Sequence, residues 1–63
     1  GLRYVYVRLG GLMRIGDLVR YRRTGEIGVI VHTNKHPRYC VRWVDTLYLN
    51  YPHMRELEVI CTK

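Results

Sequence analysis

The sequence predicts an all-β domain: a small barrel of five short strands, with one 3₁₀ turn before the last strand and an extra strand at the amino end. Short runs in which apolar and polar residues alternate favour half-buried strands. Glycine, proline, asparagine and aspartate separate these runs, as turns require. The chain has 63 residues, 48% of them hydrophobic, which fits one domain and is too apolar for intrinsic disorder.

A central hairpin is predicted over Arg14 to His32. Gly16 and Asp17 indicate the turn that opens it, because glycine accepts a positive φ and aspartate hydrogen-bonds nearby backbone. The first strand follows directly, with Val19 and Tyr21 on one side and arginines on the other.

The second strand of this hairpin is predicted over Glu26 to His32, after a short loop at residues 23–25. β-Branched residues dominate it, which suits a pleated surface. Gly28 has no side chain to pack, so it predicts a bulge or bend where the sheet curls into a barrel. Three apolar residues of this strand are in phase: Ile27, Val29 and Val31.

Three further strands are predicted in chain order. A polar loop over Thr33 to Arg38 precedes a third strand over Tyr39 to Val44, and a tight turn leads into a fourth over Thr46 to Tyr51. Pro52 to Glu56 fits one turn of 3₁₀ helix, and the last strand is predicted over Leu57 to Cys61. The in-phase residues are Tyr39, Val41 and Trp43, then Leu47, Leu49 and Tyr51, then Leu57, Val59 and Cys61.

An amino-terminal β extension is predicted over residues 1–13, ahead of a barrel over residues 14–63. Its first nine residues, GLRYVYVRL, alternate like a strand, and two glycines follow. We expect this strand either to pair with an edge of its own barrel or to pair with a partner chain, as a homo-oligomer or a complex. Tyr4 and Tyr6 are the candidate protein-interaction residues.

The charge balance predicts a basic side of the barrel. The net charge is +6, and nine of the eleven Lys and Arg residues are arginine, which suits bidentate phosphate contacts. The alternative interpretation is that outward arginines only keep a small protein soluble. The candidate nucleic-acid-binding residues are six cations and two tyrosines for base stacking: Arg20, Arg22, Arg23, Lys35, Arg38, Arg42, Tyr39 and Tyr48.

Four aromatic residues admit two interpretations. Trp43 with Tyr21, Tyr39 and Tyr51 would form either a ligand-binding aromatic cage or part of the core. In-phase aromatic residues in so small a barrel favour the core, because their large apolar area is best buried there. Trp43 and Tyr51 are therefore predicted to be buried.

No catalytic site, metal site or cofactor is expected. His32, His36 and His53 lie in different segments, the chain has no serine, and a barrel of this size encloses no substrate pocket. These histidines match no common zinc-ligand spacing with Cys40 or Cys61. The two cysteines are expected as reduced thiols rather than as a disulfide.

Four motifs accompany the order of elements over residues 14–60: Gly16-Asp17-x-Val19, Gly25-x-x-Gly28-Val29, Val41-Arg42-Trp43-x-Asp45 and Glu56-Leu57-Glu58-Val59-Ile60. With that order of elements, they resemble an SH3-like small barrel. The Gly-Asp opening and the spaced glycines resemble the KOW and Tudor branches of that fold, and the whole chain resembles short SH3-like proteins of tailed bacteriophages, notably those of cyanobacteria. A KOW resemblance implies contacts with RNA, ribosome or polymerase through loops. The short loop at residues 23–25 departs from that pattern, so no KOW residue is assigned.

The sequence thus predicts a non-enzymatic module that binds nucleic acid through an arginine-rich face of the barrel. The alternative is a phage structural or accessory module that docks on a virion or host protein. No small-molecule substrate is expected. No apolar run reaches the roughly 20 residues of a membrane span, so the predicted location is the cytoplasm of the host cell or the virion.

Overall fold

The computed structural model describes residues 13–61 of the chain. These residues form five strands and one 3₁₀ turn, with no α-helix among them, which confirms the all-β prediction. The predicted extension over residues 1–13, with Tyr4 and Tyr6, lies outside the described residues except for Met13. The strands are β1 (Leu18–Tyr21), β2 (Ile27–Lys35), β3 (Arg38–Trp43), β4 (Leu49–Asn50) and β5 (Leu57–Cys61), and the 3₁₀ turn spans Met54–Glu56.

The strands form one antiparallel sheet in the order β4-β3-β2-β1-β5. Each of the first four strands pairs with its neighbour in the sequence, and β5 returns to the far side of the sheet and pairs with β1. No ladder joins the edge strands β4 and β5 within residues 13–61. The sheet is therefore open, and strand pairing does not close the predicted barrel.

The turn before β1 is the one that the Gly16-Asp17 pair predicted. Gly16 has a φ of 95°, in the left-handed region that favours glycine. The Asp17 side chain is buried and accepts a hydrogen bond from the Arg14 backbone N–H over 2.9 Å. The Gly16 N–H donates to the Ile30 carbonyl over 2.8 Å, so this turn is attached to the middle of β2.

The core lies on one face of the sheet, which we call the inner face. Trp43 is 7% exposed, which confirms its prediction as a core residue, and the in-phase residues of β3 are all buried. The ring of Tyr21 packs against the Trp43 indole, with 5.8 Å between ring centroids. The buried cluster consists of Val19, Ile30, Tyr39, Val41, Trp43, Leu57 and Val59.

The apolar residues predicted in phase on β2 lie on the opposite, outer face and are only half-buried. The core residue of β2 is instead Ile30, which is fully buried. The pairing explains this choice, because Gly28 lies opposite Val19 on β1 and opposite Trp43 on β3, and both of those side chains point inward. Positions 28 and 30 therefore face the core, and Ile27, Val29 and Val31 do not.

Gly28 is a point of close approach and not the predicted bulge. The register shifts of the β2–β3 ladder occur between Ile30 and His32 and between His32 and Lys35. A Cβ atom at position 28 would overlap the Val41 Cγ1 atom and would lie 2.9 Å from the Trp43 Cε3 atom. Because Gly28 has no side chain, the core side chains of Val41 and Trp43 on β3 can pack against its backbone.

The fourth strand is much shorter than predicted. Only Leu49–Asn50 pair with β3, because the residues just before them form a turn. In that turn the Leu47 N–H donates to the Trp43 carbonyl over 2.8 Å, and Leu47 has a φ of 64°. Tyr51 is 43% exposed, so its prediction as a core residue is wrong. Leu47 and Leu49, in phase with Tyr51, are exposed as well.

The 3₁₀ turn and β5 follow the prediction closely. Met54–Glu56 form the turn within the predicted range, and Leu57–Cys61 form the last strand. His53 caps the turn, because its Nδ1 atom accepts the Arg55 N–H over 3.1 Å. The Glu56 Oε1 atom in turn accepts a hydrogen bond from the His53 N–H over 2.9 Å. This reciprocal capping fixes the direction in which the chain enters β5.

Candidate functional site

A cleft of about 440 Å³ opens beside the core, between the β1–β2 loop, the β3–β4 turn and the 3₁₀ turn. Four aromatic residues line it, and we call it the aromatic cleft: Tyr21, Trp43, Tyr48 and Tyr51. Its polar lining includes two carboxylates, one guanidinium and one amide, from Glu26, Glu56, Arg38 and Asn50. Large rings with a few polar groups are typical of binding sites in proteins.

Trp43 belongs to both the core and the cleft. Its ring is almost wholly buried, and its indole N–H donates to the Asn50 Oδ1 atom over 2.6 Å. This bond joins the end of β3 to β4 and holds the indole in one orientation. Tyr48, 73% exposed, lies on the same cleft and contributes a ring face that is open to a partner.

A hydrogen-bonded cluster fixes the end of the cleft at the 3₁₀ turn. The Tyr21 hydroxyl donates to the Glu56 Oε2 atom over 3.2 Å, and the Arg23 guanidinium donates to the same hydroxyl over 3.3 Å. The backbone N–H of His53 lowers the pKa of Glu56 most, and the Tyr21 hydroxyl and the Arg23 and Arg38 charges lower it further. Glu56 is therefore a carboxylate at neutral pH.

The exposed phenol of Tyr51 is neutral at pH 7. The pKa of Tyr51 is raised above its ordinary value, mainly by a hydrogen bond with the thiol of Cys40. Cys40 is a free, buried thiol, as expected for a reduced cysteine. An uncharged ring suits Tyr51 to stacking and apolar contacts rather than to ionic ones.

Three of the candidate nucleic-acid-binding residues lie at the aromatic cleft. Tyr48 and Arg38 line it, and the Arg38 guanidinium donates to the Tyr51 carbonyl over 2.9 Å. Arg23 reaches it through the hydroxyl of Tyr21. The sequence predicted Arg23 and Arg38 on a common face for their charge and Tyr48 as a stacking ring, and in the structure all three lie at or next to the cleft.

Other residues of the predicted basic face lie elsewhere. Arg20 is on the outer face and forms an ion pair with Glu58 at 2.5 Å. Arg42 is exposed on the outer face between inward Val41 and Trp43. Arg22 is exposed in the β1–β2 loop, and Lys35 is exposed at the end of β2.

Tyr39 has no ring surface to offer a base. It is 1% exposed, and its hydroxyl oxygen lies 2.8 Å from the Nδ1 atom of His36. Tyr39 is buried because it alternates with Val41 and Trp43 along β3, and all three belong to the core cluster. Of the two tyrosines proposed for stacking, only Tyr48 is exposed.

Sequence reasoning missed the exposed apolar segment from Val44 to Tyr51. Five of its eight side chains are large, apolar and between 43% and 73% exposed: Val44, Leu47, Tyr48, Leu49 and Tyr51. A signal was present, because Leu47, Tyr48 and Leu49 are consecutive. Neighbouring residues of a strand point to opposite faces, so three large apolar residues in a row cannot all be buried against one core.

The described residues contain no group of three or more His, Cys, Asp or Glu side chains placed to hold a metal ion. Within the same residues, no helix has the length and apolar character that crossing a membrane requires. Comparisons of the chain with protein-family models, with curated proteins and with solved structures find no match. The function is therefore inferred from the chemistry of the described surface.

Proposed function

We propose that this protein is a non-enzymatic interaction module that binds a peptide segment of a protein partner in the aromatic cleft. The observation that carries this proposal is the exposed apolar segment from Val44 to Tyr51, which borders the cleft through Tyr48 and Tyr51. Large apolar side chains clustered on a monomer surface are typical of interaction sites, and tyrosine and tryptophan are enriched there.

The walls of the cleft favour a peptide over a nucleic-acid backbone. Glu26 and Glu56 both line it, and carboxylates oppose a polyanion at short range. The Arg38 guanidinium is engaged with the Tyr51 carbonyl, and the outer-face Arg20 is paired with Glu58. A peptide offers apolar side chains for the rings and a backbone carbonyl for the Asn50 amide group, so it satisfies both kinds of lining.

A peptide-display selection tests the proposal. The wild-type protein is the bait for a random peptide library, and selected peptides are measured against the double variant Leu47→Asn and Tyr48→Ser. Asparagine tolerates the left-handed φ of position 47, so the turn is retained while the apolar surface is removed. Ile15→Ser is the matched control, because Ile15 is 56% exposed and is not part of the cleft lining.

We expect peptides that bind the wild type and the Ile15→Ser control but lose at least about tenfold in affinity on the double variant, a difference of about 1.4 kcal/mol. Far-ultraviolet circular dichroism of each variant checks that the fold is retained. Enrichment of no peptide, or equal binding to the double variant, would count against the proposal.

A second candidate is binding of single-stranded nucleic acid, the function predicted from the charge. Its specific support is the net charge of +6 together with the exposed ring of Tyr48 beside Arg38, since bases stack on aromatic rings between cations. Binding to single- and double-stranded oligonucleotides over a salt series tests it. Affinity should be highest near 50 mM salt and fall as salt rises, and Arg23→Ala with Arg38→Ala should weaken it more than Arg20→Ala does. No binding at low salt removes this candidate.

We also propose that the open sheet is a variant of the SH3-like small barrel. What supports this is the strand order, in which consecutive strands are neighbours, β5 returns to pair with β1, and a 3₁₀ turn precedes β5. The resemblance to short phage proteins makes a virion or host protein the expected source of the peptide.

A further inference from the structure

Three basic residues lie side by side where the β2–β3 hairpin turns. Lys35, the last residue of β2, lies opposite Arg38, the first residue of β3. Arg38 in turn forms an isolated antiparallel bridge with His53, the cap of the 3₁₀ turn. Residues opposite each other in an antiparallel pair direct their side chains to the same face, with Cβ atoms about 4.5–5.5 Å apart. The three side chains therefore start from neighbouring positions on one face.

Hydrogen bonds hold the 3₁₀ turn against this hairpin. The Met54 N–H donates to the Pro37 carbonyl over 2.8 Å, and the next N–H, that of Arg55, donates to the His53 Nδ1 atom over 3.1 Å. Arg55 is exposed and thus adds a fourth basic side chain to the same part of the surface. We call these residues the basic end: Lys35, Arg38, His53 and Arg55.

Two of the acidic residues lie far from the basic end along the strands. All five acidic residues of the chain are within residues 13–61. Asp45 is in the turn at the other end of β3, and the six residues of that strand span roughly 17 Å. Glu26 precedes β2, at the end opposite Lys35. These charges are largely screened from the basic end, because the Debye length is about 10 Å in 0.1 M salt.

The other three carboxylates are engaged by other groups. Asp17 is buried in the turn before β1, and Glu58 pairs with Arg20. Glu56 interacts electrostatically with Arg38, but both of its oxygens already accept hydrogen bonds. Within residues 13–61, no carboxylate forms an ion pair with a residue of the basic end.

The charges of the basic end oppose folding when no anion is bound. Like charges directly opposite each other on neighbouring strands destabilise a sheet, and Lys35 and Arg38 form such a pair. An anion bound between the two side chains replaces this repulsion by attraction to both. The charge pattern is thus that of an anion-binding site and not that of a structural ion pair.

The donors at the basic end suit phosphate groups of a nucleic acid. Arginine binds phosphate through two parallel N–H groups, and lysine binds it as a point charge. Because the His53 Nδ1 atom accepts the Arg55 N–H, the neutral ring carries its proton on Nε2 and can donate it to an anion. The Arg38 guanidinium donates to the carbonyl of Tyr51, which is 43% exposed and offers a ring on which a base can stack.

We propose that the basic end binds the phosphate groups of a single nucleic-acid strand. The site does not rest on the proposed peptide function, and it differs from nucleic-acid binding at the aromatic cleft, in which Arg23 and Tyr48 take part. Arg38 borders both regions. The exposed ring of Tyr51 favours a nucleic acid over an acidic peptide, since it provides a surface for bases next to the cations.

Oligonucleotide binding by variants of the full chain tests the proposal. Fluorescence anisotropy with a labelled single-stranded oligothymidylate measures affinity from about 50 mM salt upward. We expect Lys35→Gln and Arg55→Gln each to weaken binding by about threefold or more and to reduce the slope of log affinity against log salt by about one. Arg14→Gln is the matched control, because Arg14 is an exposed arginine of the turn before β1, and it should leave the slope unchanged. Equal losses in all three variants, or no binding by the wild type near 50 mM salt, overturn the proposal.

A competition experiment separates a nucleic acid from an acidic protein segment as the partner. Unlabelled oligothymidylate should displace the labelled strand, whereas polyglutamate at the same concentration of charges should displace it much less. Equal displacement by the two polyanions overturns the proposal in favour of an acidic peptide.

Lys35→Glu provides a measurement that a purely structural role of Lys35 would not produce. The new carboxylate lies opposite Arg38, so an attractive cross-strand pair replaces a repulsive one. Without nucleic acid and at low salt, we expect this variant to have a higher thermal unfolding midpoint than the wild type, and yet to bind oligothymidylate more weakly. A lower midpoint, or unchanged oligothymidylate binding, overturns the proposal.

Discussion

The indole N–H of Trp43 donates to the side-chain oxygen of Asn50 over 2.6 Å, across the short ladder between β3 and β4. This bond satisfies the one polar atom of a side chain that is otherwise part of the core. It also fixes the ring that forms part of the aromatic cleft. Core packing and cleft shape therefore depend on the same side chain.

Asn50→Ala should destabilise the fold by about 1–3 kcal/mol, because it leaves the indole N–H of the almost wholly buried Trp43 without its partner. Urea unfolding measures the change. Asn34→Ala is the matched control, since Asn34 is an exposed asparagine of β2, and it should stay within about 0.5 kcal/mol of wild type. Equal stability of the two variants would show that the indole finds another acceptor.

Trp43→Ala should leave the domain unfolded at 25 °C. Deleting a buried tryptophan costs about 3–5 kcal/mol, and the core of so small a domain rarely supplies more than that. Circular dichroism and thermal melting measure the loss. Tyr48→Ala, at a 73% exposed position of the same cleft, should remain folded. A folded Trp43→Ala variant that only fails to bind peptide would contradict the assignment of Trp43 to the core.

Gly28→Ala should destabilise by about 1–3 kcal/mol, the usual cost of overpacking a core. The added methyl group would overlap the side chain of Val41 and would lie 3.0 Å from the Arg42 carbonyl oxygen. A double-mutant cycle with Val41→Ala checks the cause, because the smaller side chain removes the overlap. If the penalty is the same in both backgrounds, steric contact with Val41 is not its source.

Acid should weaken the fold partly through Glu56. The pKa of this carboxylate is lowered in the folded state, chiefly by the His53 N–H, so its contribution to stability is complete above the ordinary glutamate pKa of about 4.3. The contribution is lost as the pH falls through the lower, folded-state pKa. Glu56→Gln should therefore reduce the slope of stability against pH below about 4.3, whereas Glu26→Gln is the exposed control. An unchanged slope for Glu56→Gln would show that other carboxylates carry the acid response.

The local patterns predicted most of the strands but not which face of β2 is buried. The inward phases of β3 and β5 were readable from Tyr39, Val41 and Trp43 and from Leu57 and Val59, although Cys40 and Ile60 are buried as well. In β2 the more apolar phase, Ile27, Val29 and Val31, faces outward, and the pairing of Gly28 with Val19 and Trp43 is what directs Ile30 inward. Sequence spacing contains no information on that register.

The site was harder to predict than the fold. The sequence indicated Tyr48 and Arg38 as surface residues for a ligand, and both line the cleft. It assigned Tyr51 to the core, because the alternation from Leu47 to Tyr51 resembles a half-buried strand. The tight turn at Leu47 shortens that strand to two residues, and a turn with a non-glycine residue at positive φ has no clear sequence signature.

The resonance of the single indole N–H offers the most direct test of the proposed peptide-binding cleft, because Trp43 is the only tryptophan in the chain. A selected peptide is titrated into ¹⁵N-labelled protein, and the indole signal is followed in wild type and in the Ile15→Ser control. We predict a saturable shift of this signal in both proteins, with the same affinity. A peptide that binds without moving the indole signal, while the amides of Arg20 and Arg42 on the outer face shift, would contradict the assignment of the cleft as the binding site.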